Sequence, residues 1–117
     1  MVCEIVIQVN DLEQCRYFYR EMLALGEPVI DSCETAVFQV SPETTLVLKK
    51  SSARYLEHTS SAVSWTLVTG DFDKLCAELE EHGHLSGEEF RHFGLRARYV
   101  LDPEENVLIL ARSNPGE

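Results

Sequence analysis

The sequence lacks the features that mark several large classes of protein. Its 117 residues carry 10 basic against 20 acidic side chains, a formal charge of -10, with no basic stripe to neutralise nucleic-acid phosphates. No apolar run approaches the roughly 18 residues needed to cross a bilayer. No basic region stands before an apolar stretch at the start, so no export signal is expected. We therefore expect a cytoplasmic protein without nucleic-acid or membrane partners.

The cysteines and histidines also lack the spacing of a known reactive centre. The four cysteines contain no close C-x-x-C pair, which argues against a zinc knuckle and a thioredoxin-like centre. No Ser/His/Asp or Cys/His arrangement has a recognisable spacing, and no Gly-rich loop could cradle a phosphate. The simplest interpretation is a set of small thiols in a reducing compartment.

An internal repeat is the main positive feature of the chain. Val9–Gly26 and Val68–Gly83 each contain the end of an apolar strand, an Asp at the turn, an amphipathic stretch and a Gly. Each half then closes on an apolar run behind an acidic turn, at 43–48 and at 104–110. The offset of about 60 residues indicates a duplicated module, and ligands in such folds often bind where the copies meet.

Periodicity predicts the order strand, helix and three strands in each half. Alternation over residues 2–9 places Glu4, Val6 and Gln8 on one face of a strand. Apolar residues spaced by three and four predict a helix after Asn10 or Asp11 and another after Asp71. The remaining strands are predicted near 28–32, 35–41, 45–50, 62–69, 85–89, 95–101 and 106–112. The Ser-rich stretch 51–61 is interpreted as a linker and 113–117 as a frayed tail.

Two short motifs resemble those of the vicinal oxygen chelate superfamily. Asp11-Leu12 followed by Phe18-Tyr19 and Leu23 is similar to D-L-x(5)-F-Y-x-x-x-L, and Asp102–Asn106 is similar to D-P-x-G-N, with Glu105 replacing the Gly. That superfamily includes glyoxalase I, extradiol dioxygenases, fosfomycin-resistance enzymes and bleomycin-resistance proteins. The resemblance implies an α+β fold: one pseudo-symmetric domain over 1–117 with two βαβββ modules, about 1–50 and 62–112. It also implies a mixed sheet curled into a cup, and a homodimer.

The resemblance further implies where a metal would bind in the metal-using members. Four strand positions supply His, Gln or Glu there, and the matching residues here are Glu4, Val47, Ser64 and Ile109. One carboxylate, one hydroxyl and two aliphatic side chains do not make a metal site. We therefore expect no metal and no other cofactor.

Other side chains are candidates for ligand contacts. Glu4 could anchor a cationic ligand or act as a general base, or it could be an ordinary solvated or ion-paired carboxylate. Arg96 and Arg98 alternate with an apolar set that we expect to pack on the helices. The arginines would then face either the cup, where they suit a carboxylate or phosphate, or solvent. Gln8 shares the face of Glu4, and Tyr55 and Phe93 are the most accessible aromatic candidates.

Three functions remain open on this evidence. The preferred one is metal-independent binding or sequestration of a small organic ligand in the cup. The second is a glyoxalase-like lyase or isomerase, or a dioxygenase-related enzyme, that uses Glu4 as base or metal ligand. The third is a dimeric structural domain whose cup is filled by side chains. Fold alone does not choose among these functions, so enzymatic activity stays open.

Overall fold

The computed structural model describes residues 3–50 and 65–113 of the chain. The chain divides into two compact units, Met1–Ala62 (unit 1) and Val63–Glu117 (unit 2). The whole of the predicted linker, 51–61, and all of the predicted tail except Ser113 lie outside the described residues. Within the described ranges, neither helix combines the length and the apolar character that a membrane-spanning helix requires.

Unit 1 is a mixed four-stranded sheet with a helix on one face, as the periodicity predicts. Its elements are β1 (Cys3–Val9), α1 (Leu12–Tyr17), β2 (Ile30–Asp31), β3 (Thr35–Ser41) and β4 (Thr44–Lys50). The strand order is β1-β4-β3-β2, with β1 parallel to β4 and the other pairs antiparallel. The predicted strand near 28–32 is reduced to two residues at the edge of the sheet.

The first helix begins at a predicted cap and ends in a wider turn. Asp11 accepts a hydrogen bond from the backbone N–H of Gln14 at 3.0 Å, which satisfies one free donor of the first turn. A π-helical turn, Phe18–Met22, follows α1. It buries the adjacent rings of Phe18 and Tyr19, whose centroids lie 5.1 Å apart edge to face. The apolar stripe therefore stays on the sheet through Met22.

Unit 2 repeats the arrangement of unit 1. Its elements are β5 (Thr66–Thr69), α2 (Phe72–Glu81), β6 (Leu85–His92), β7 (Leu95–Leu101) and β8 (Val107–Arg112). The strand order β5-β8-β7-β6 has the same connectivity as the first sheet, and β5 is parallel to β8. In both units the helix-facing side of the central strands carries paired leucines that are buried almost completely, Leu46 and Leu48 in one and Leu108 and Leu110 in the other. The two-module α+β prediction is confirmed.

The turn before β8 is organised by a buried carboxylate. Asp102 is 2% exposed, and it accepts hydrogen bonds from the backbone N–H groups of Glu104 and Asn106, both at 2.8 Å. The side-chain amide of Asn106 donates a third bond at 2.9 Å. Glu105 is held at φ 65°, a left-handed conformation that favours glycine. This is the position where the D-P-x-G-N motif has its Gly.

The two arginines of β7 lie on the helix-covered face, so the prediction that they face away from the helices is wrong. Arg98 stands opposite Leu110 in the sheet, and the Arg96 guanidinium lies 5.2 Å from the ring centroid of Phe72 in α2. Arg96 also donates to Asp73 at 3.2 Å. Arg96 tolerates this position because its stem packs on apolar surface while its charge stays paired at the rim. Arg98 instead donates to a backbone carbonyl at 2.7 Å. Tyr99 therefore takes the opposite, open face.

Candidate functional site

The open face of unit 1 is the sheet surface that α1 does not cover. Strand register places four β-branched aliphatic residues side by side across all four strands of this face. We call this set the aliphatic row, and it consists of Val6, Val47, Val37 and Ile30. Val6 is 43% exposed and Ile30 is 59% exposed, whereas the two central valines are half-buried.

Polar side chains border the aliphatic row on both sides. One neighbouring row contains Glu4, Thr45 and Gln39, and the other contains Gln8, Lys49 and Thr35. Glu4 and Gln8 are exposed in the structure. The alternation of β1 therefore predicted the correct face for both residues, and their role in ligand binding stays a prediction. A strip of apolar surface with hydrogen-bonding groups at its rim is the usual composition of a small-molecule site.

The metal positions of the family do not fit a metal in this chain. Glu4 and Val47 lie on neighbouring strands of unit 1, Ile109 lies on β8, and Ser64 is outside the described residues. Of the three described positions, Glu4 alone carries a ligand atom. Over residues 3–50 and 65–113 no three His, Cys, Asp or Glu side chains are grouped so that they could hold an ion. The donor set therefore disagrees with the metal centre of the metal-using members.

The open face of unit 2 carries aromatic rings. Phe90 and Tyr99 stack with centroids 4.5 Å apart and planes at 22°. The His92 ring meets Phe90 edge to face at 6.4 Å and Phe93 at 4.7 Å. These four residues are called the aromatic cluster below. Register places Tyr99 beside Ile109, so the fourth family metal position lies against an aromatic ring.

A polar contact crosses this face. Thr66 Oγ1 lies 3.4 Å from His92 Nε2, and these residues belong to β5 and β6, the two edge strands of the sheet. Side chains of opposite edge strands meet in this way when the sheet curls. The open face of unit 2 is therefore concave, and the Thr66–His92 pair is a polar group beside the rings.

The sequence predicted Phe93 as a ligand contact but missed the rest of the aromatic cluster. The predicted strand near 85–89 ended too early, because β6 contains a bulge between Ser86 and Phe90 that shifts the alternation. The available signal was Phe93-Gly94 between two alternating runs, a two-residue hairpin turn. Pairing outward from that turn places His92 opposite Leu95. Tyr55, the other predicted aromatic contact, lies outside the described residues.

Positive charge in unit 2 is concentrated on the α2 side of the sheet. The strands contain four arginines, and register puts each on the same face as Leu108 and Leu110. They are Arg91, Arg96, Arg98 and Arg112. The hydrogen bond from Arg96 lowers the pKa of Glu89, and burial raises the pKa of the Cys76 thiol despite the nearby Arg98. Along the described strands of unit 2, the open face carries no arginine or lysine.

One further depression is present in unit 1, away from the predicted site. It is an open hollow of about 500 Å³ at the start of α1 and contains none of the residues predicted to bind a ligand. Its lining residues are Asn10, Asp11, Leu12, Glu13, Cys33 and Lys50.

Comparison with known proteins assigns the family. The Glyoxalase/Bleomycin resistance protein/Dioxygenase superfamily model matches residues 3–110. The chain belongs to this superfamily. No curated protein sequence matches the chain significantly. The comparisons therefore assign the chain to its superfamily and leave its specific function open.

Solved structures of the glyoxalase type have the same fold. A superfamily member from Sphaerobacter thermophilus superimposes with a TM-score of 0.75 and 23% identity, over 97% of both chains. A glyoxalase/bleomycin resistance protein from Catenulispora acidiphila gives 0.71 and 22%, over 97% of this chain and 99% of that one. Lactoylglutathione lyase from Agrobacterium tumefaciens gives 0.72 and 17%, over 97% and 93%. At these identities the likeness shows the fold alone.

Proposed function

We propose that this protein binds a small organic molecule on its open sheet faces without a metal, and sequesters it rather than transforming it. The observation that carries the proposal is the aliphatic row. Val47, at a position where metal-using members have a ligand, stands between Val6 and Val37. The face is therefore suited to apolar contact rather than to metal coordination.

Polar residues at the rim would give such a site its specificity. Glu4 and Gln8 flank Val6 on the same strand and face, so each could anchor a polar group of a ligand lying on the row. Burial of apolar surface supplies about 25 cal/mol per Å², and a few polar contacts fix the orientation. We also propose that the protein is a homodimer, because open sheet faces and edges need cover.

The first experiment tests metal independence and ligand binding together. Native mass spectrometry and elemental analysis of the purified protein should show no stoichiometric divalent metal, and a library screen by thermal shift should find organic ligands. About one zinc, nickel, iron or manganese per chain after mild purification would contradict the proposal. A screen in which no compound binds would contradict it equally.

The second experiment tests the aliphatic row. Val47→Thr keeps the side-chain shape but places a hydroxyl in the centre of the row, and should weaken a screened ligand by about 1 kcal/mol or more. Val29→Thr is the matched control, because Val29 is 60% exposed and is not part of the aliphatic row. Equal effects of the two substitutions would show that the ligand does not use the row.

The third experiment tests Glu4 as an anchor. Glu4→Gln keeps the volume and removes the charge, so a cationic ligand that binds this face should lose about 1 to 3 kcal/mol of binding free energy. The exposed turn residue Glu43 supplies the control, Glu43→Gln, which should leave affinity unchanged. A cationic ligand of this face that is indifferent to Glu4→Gln would remove Glu4 from the site.

The oligomeric state needs its own measurement. Light scattering at micromolar concentration should give twice the chain mass if the proposed dimer forms. A monomer mass under those conditions would refute the dimer and leave the ligand proposal standing.

A further inference from the structure

We infer that the aromatic cluster of unit 2 takes a planar aromatic ligand that is neutral or positively charged. The inference rests on the proposed small-molecule binding and names the chemical class of ligand. Three observations carry it: a strained and exposed Phe93, a stacked but open Tyr99, and the absence of cations from the described strands on this face.

Phe93 sits where a phenylalanine is unfavourable for folding. It has φ 50° and Gly94 has φ 83°, so both central residues of the β6–β7 hairpin have positive φ, as in a type I′ turn. Such turns prefer Asn-Gly, and a side chain in this conformation costs roughly 1–2 kcal/mol. Phe93 is also 93% exposed, so its edge-to-face contact with His92 offsets little of the strain. An outlier of this kind points to a role at the surface.

Tyr99 supplies a ring that is already held in place. It stacks on Phe90 at 4.5 Å, which fixes its orientation, yet it remains 43% exposed. A further aromatic ring stacked on such a surface gains about 0.5–1.5 kcal/mol beyond its buried area. The contact between His92 and Phe93 ties the hairpin tip to the same cluster. The rings therefore form one surface for a flat, apolar partner.

Charge decides which aromatic ligands fit. All four arginines on the described strands of unit 2 belong to the α2 face, so these strands offer no guanidinium to a carboxylate or phosphate on the concave face. The rings themselves attract cations through their faces. The formal charge of -10 further disfavours an anion. The Thr66–His92 pair can serve as a hydrogen-bonding edge for a ring nitrogen or amine.

Three probes that share one tricyclic ring system test the inference. They are neutral acridine, cationic proflavine and an anionic acridine carboxylate, titrated into the full-length protein by fluorescence. We expect the first two to bind and the carboxylate to bind about ten-fold more weakly or worse. A carboxylate that binds as tightly as proflavine would overturn the charge argument and with it the inference.

Phe93→Asn separates binding from folding. Asn suits the first position of a type I′ turn, so this variant should melt at a higher temperature while binding acridine and proflavine about ten-fold more weakly. Tyr99→Leu should also weaken binding. Glu105→Asn is the control, because it relieves the same backbone strain at another turn of unit 2 and should leave affinity unchanged.

The outcomes distinguish this inference from the proposed function. Unchanged probe affinity in Phe93→Asn and Tyr99→Leu overturns the inference. It is also overturned if Phe93→Asn dissociates a dimer but leaves probe binding intact, because the aromatic cluster then contacts a second copy of the chain. Ligands sensitive to Val47→Thr but not to Phe93→Asn refute the aromatic site and leave the proposed function intact. If no small molecule binds anywhere, the proposed function fails as well.

Discussion

Replacing Glu105 with Gly should stabilise the protein although it adds no contact. The carboxylate of Asp102 fixes the turn by accepting bonds from the backbone on both sides of Glu105. Glu105 must then adopt φ 65°, and its side chain is exposed. The strain of this residue is therefore imposed by its neighbours and is not compensated by packing.

The expected gain follows from two opposing terms. A non-glycine residue in the left-handed region lowers the free energy of unfolding by roughly 1–2 kcal/mol. Glycine at the same place lowers it by about 0.5–1 kcal/mol, because its unfolded chain has more conformational entropy to lose. The net change in the free energy of unfolding is about 0.5–1 kcal/mol in favour of Glu105→Gly. With an unfolding entropy near 2.1 cal/mol/K per residue, a chain of this length should melt about 2 to 4 °C higher.

Thermal unfolding followed by circular dichroism measures this shift. Glu104→Gly is the matched control, because Glu104 is not among the residues with positive φ and glycine there should lower the melting temperature. Opposite signs for the two neighbouring substitutions support the argument. If Glu105→Gly melts at or below the temperature of the original protein, strain at Glu105 is not what limits the stability of this turn.

Three further predictions concern polar groups of unit 2. Asp102→Ala should lower the free energy of unfolding by about 2 to 4 kcal/mol in urea titration, because it leaves the buried Asn106 without its partner. The hydrogen bond from Arg96 lowers the pKa of Glu89. The stability that this bond adds is therefore fully present above the unfolded-state pKa of Glu89, and it disappears as the pH falls through the folded-state pKa. Urea midpoints from neutral to acid pH should therefore fall less steeply in Glu89→Gln. Burial raises the pKa of Cys76, so iodoacetamide should modify it more slowly than an unfolded cysteine at mildly alkaline pH, as peptide mass mapping would show.

The sequence was sufficient where a strand alternates without interruption. In β1 the period of two placed Glu4, Val6 and Gln8 on one face, and the register of β1 with β4 confirms this. The cap at Asp11 and the apolar stripe of α1 were predictable for the same reason, since both depend on residues close in the chain. Local patterns were sufficient to predict these elements, because the face on which each side chain lies did not depend on a partner distant in the sequence.

The sequence misled where the face of a strand depends on distant partners. Both alternating sets of β7 contain apolar side chains, and Arg96 lies against α2 because Phe72, Asp73 and Glu89 accommodate its guanidinium. Nothing within β7 itself indicates those partners. In β6 the bulge that begins after Ser86 shifts the alternation, so the face of the later residues could be read only from the hairpin turn.

The two units differ most where folding constrains them least. Their helix-covered faces have paired leucines at corresponding positions of the repeat, Leu46 and Leu48 in unit 1 and Leu108 and Leu110 in unit 2. Each sheet needs an apolar core beneath its helix. Their open faces carry an aliphatic row in one unit and an aromatic cluster in the other. Because neither open face is packed against its own helix, the demands of each core do not account for this difference. Under the proposed function, ligand chemistry would produce it, and the open faces are therefore the places to test for function.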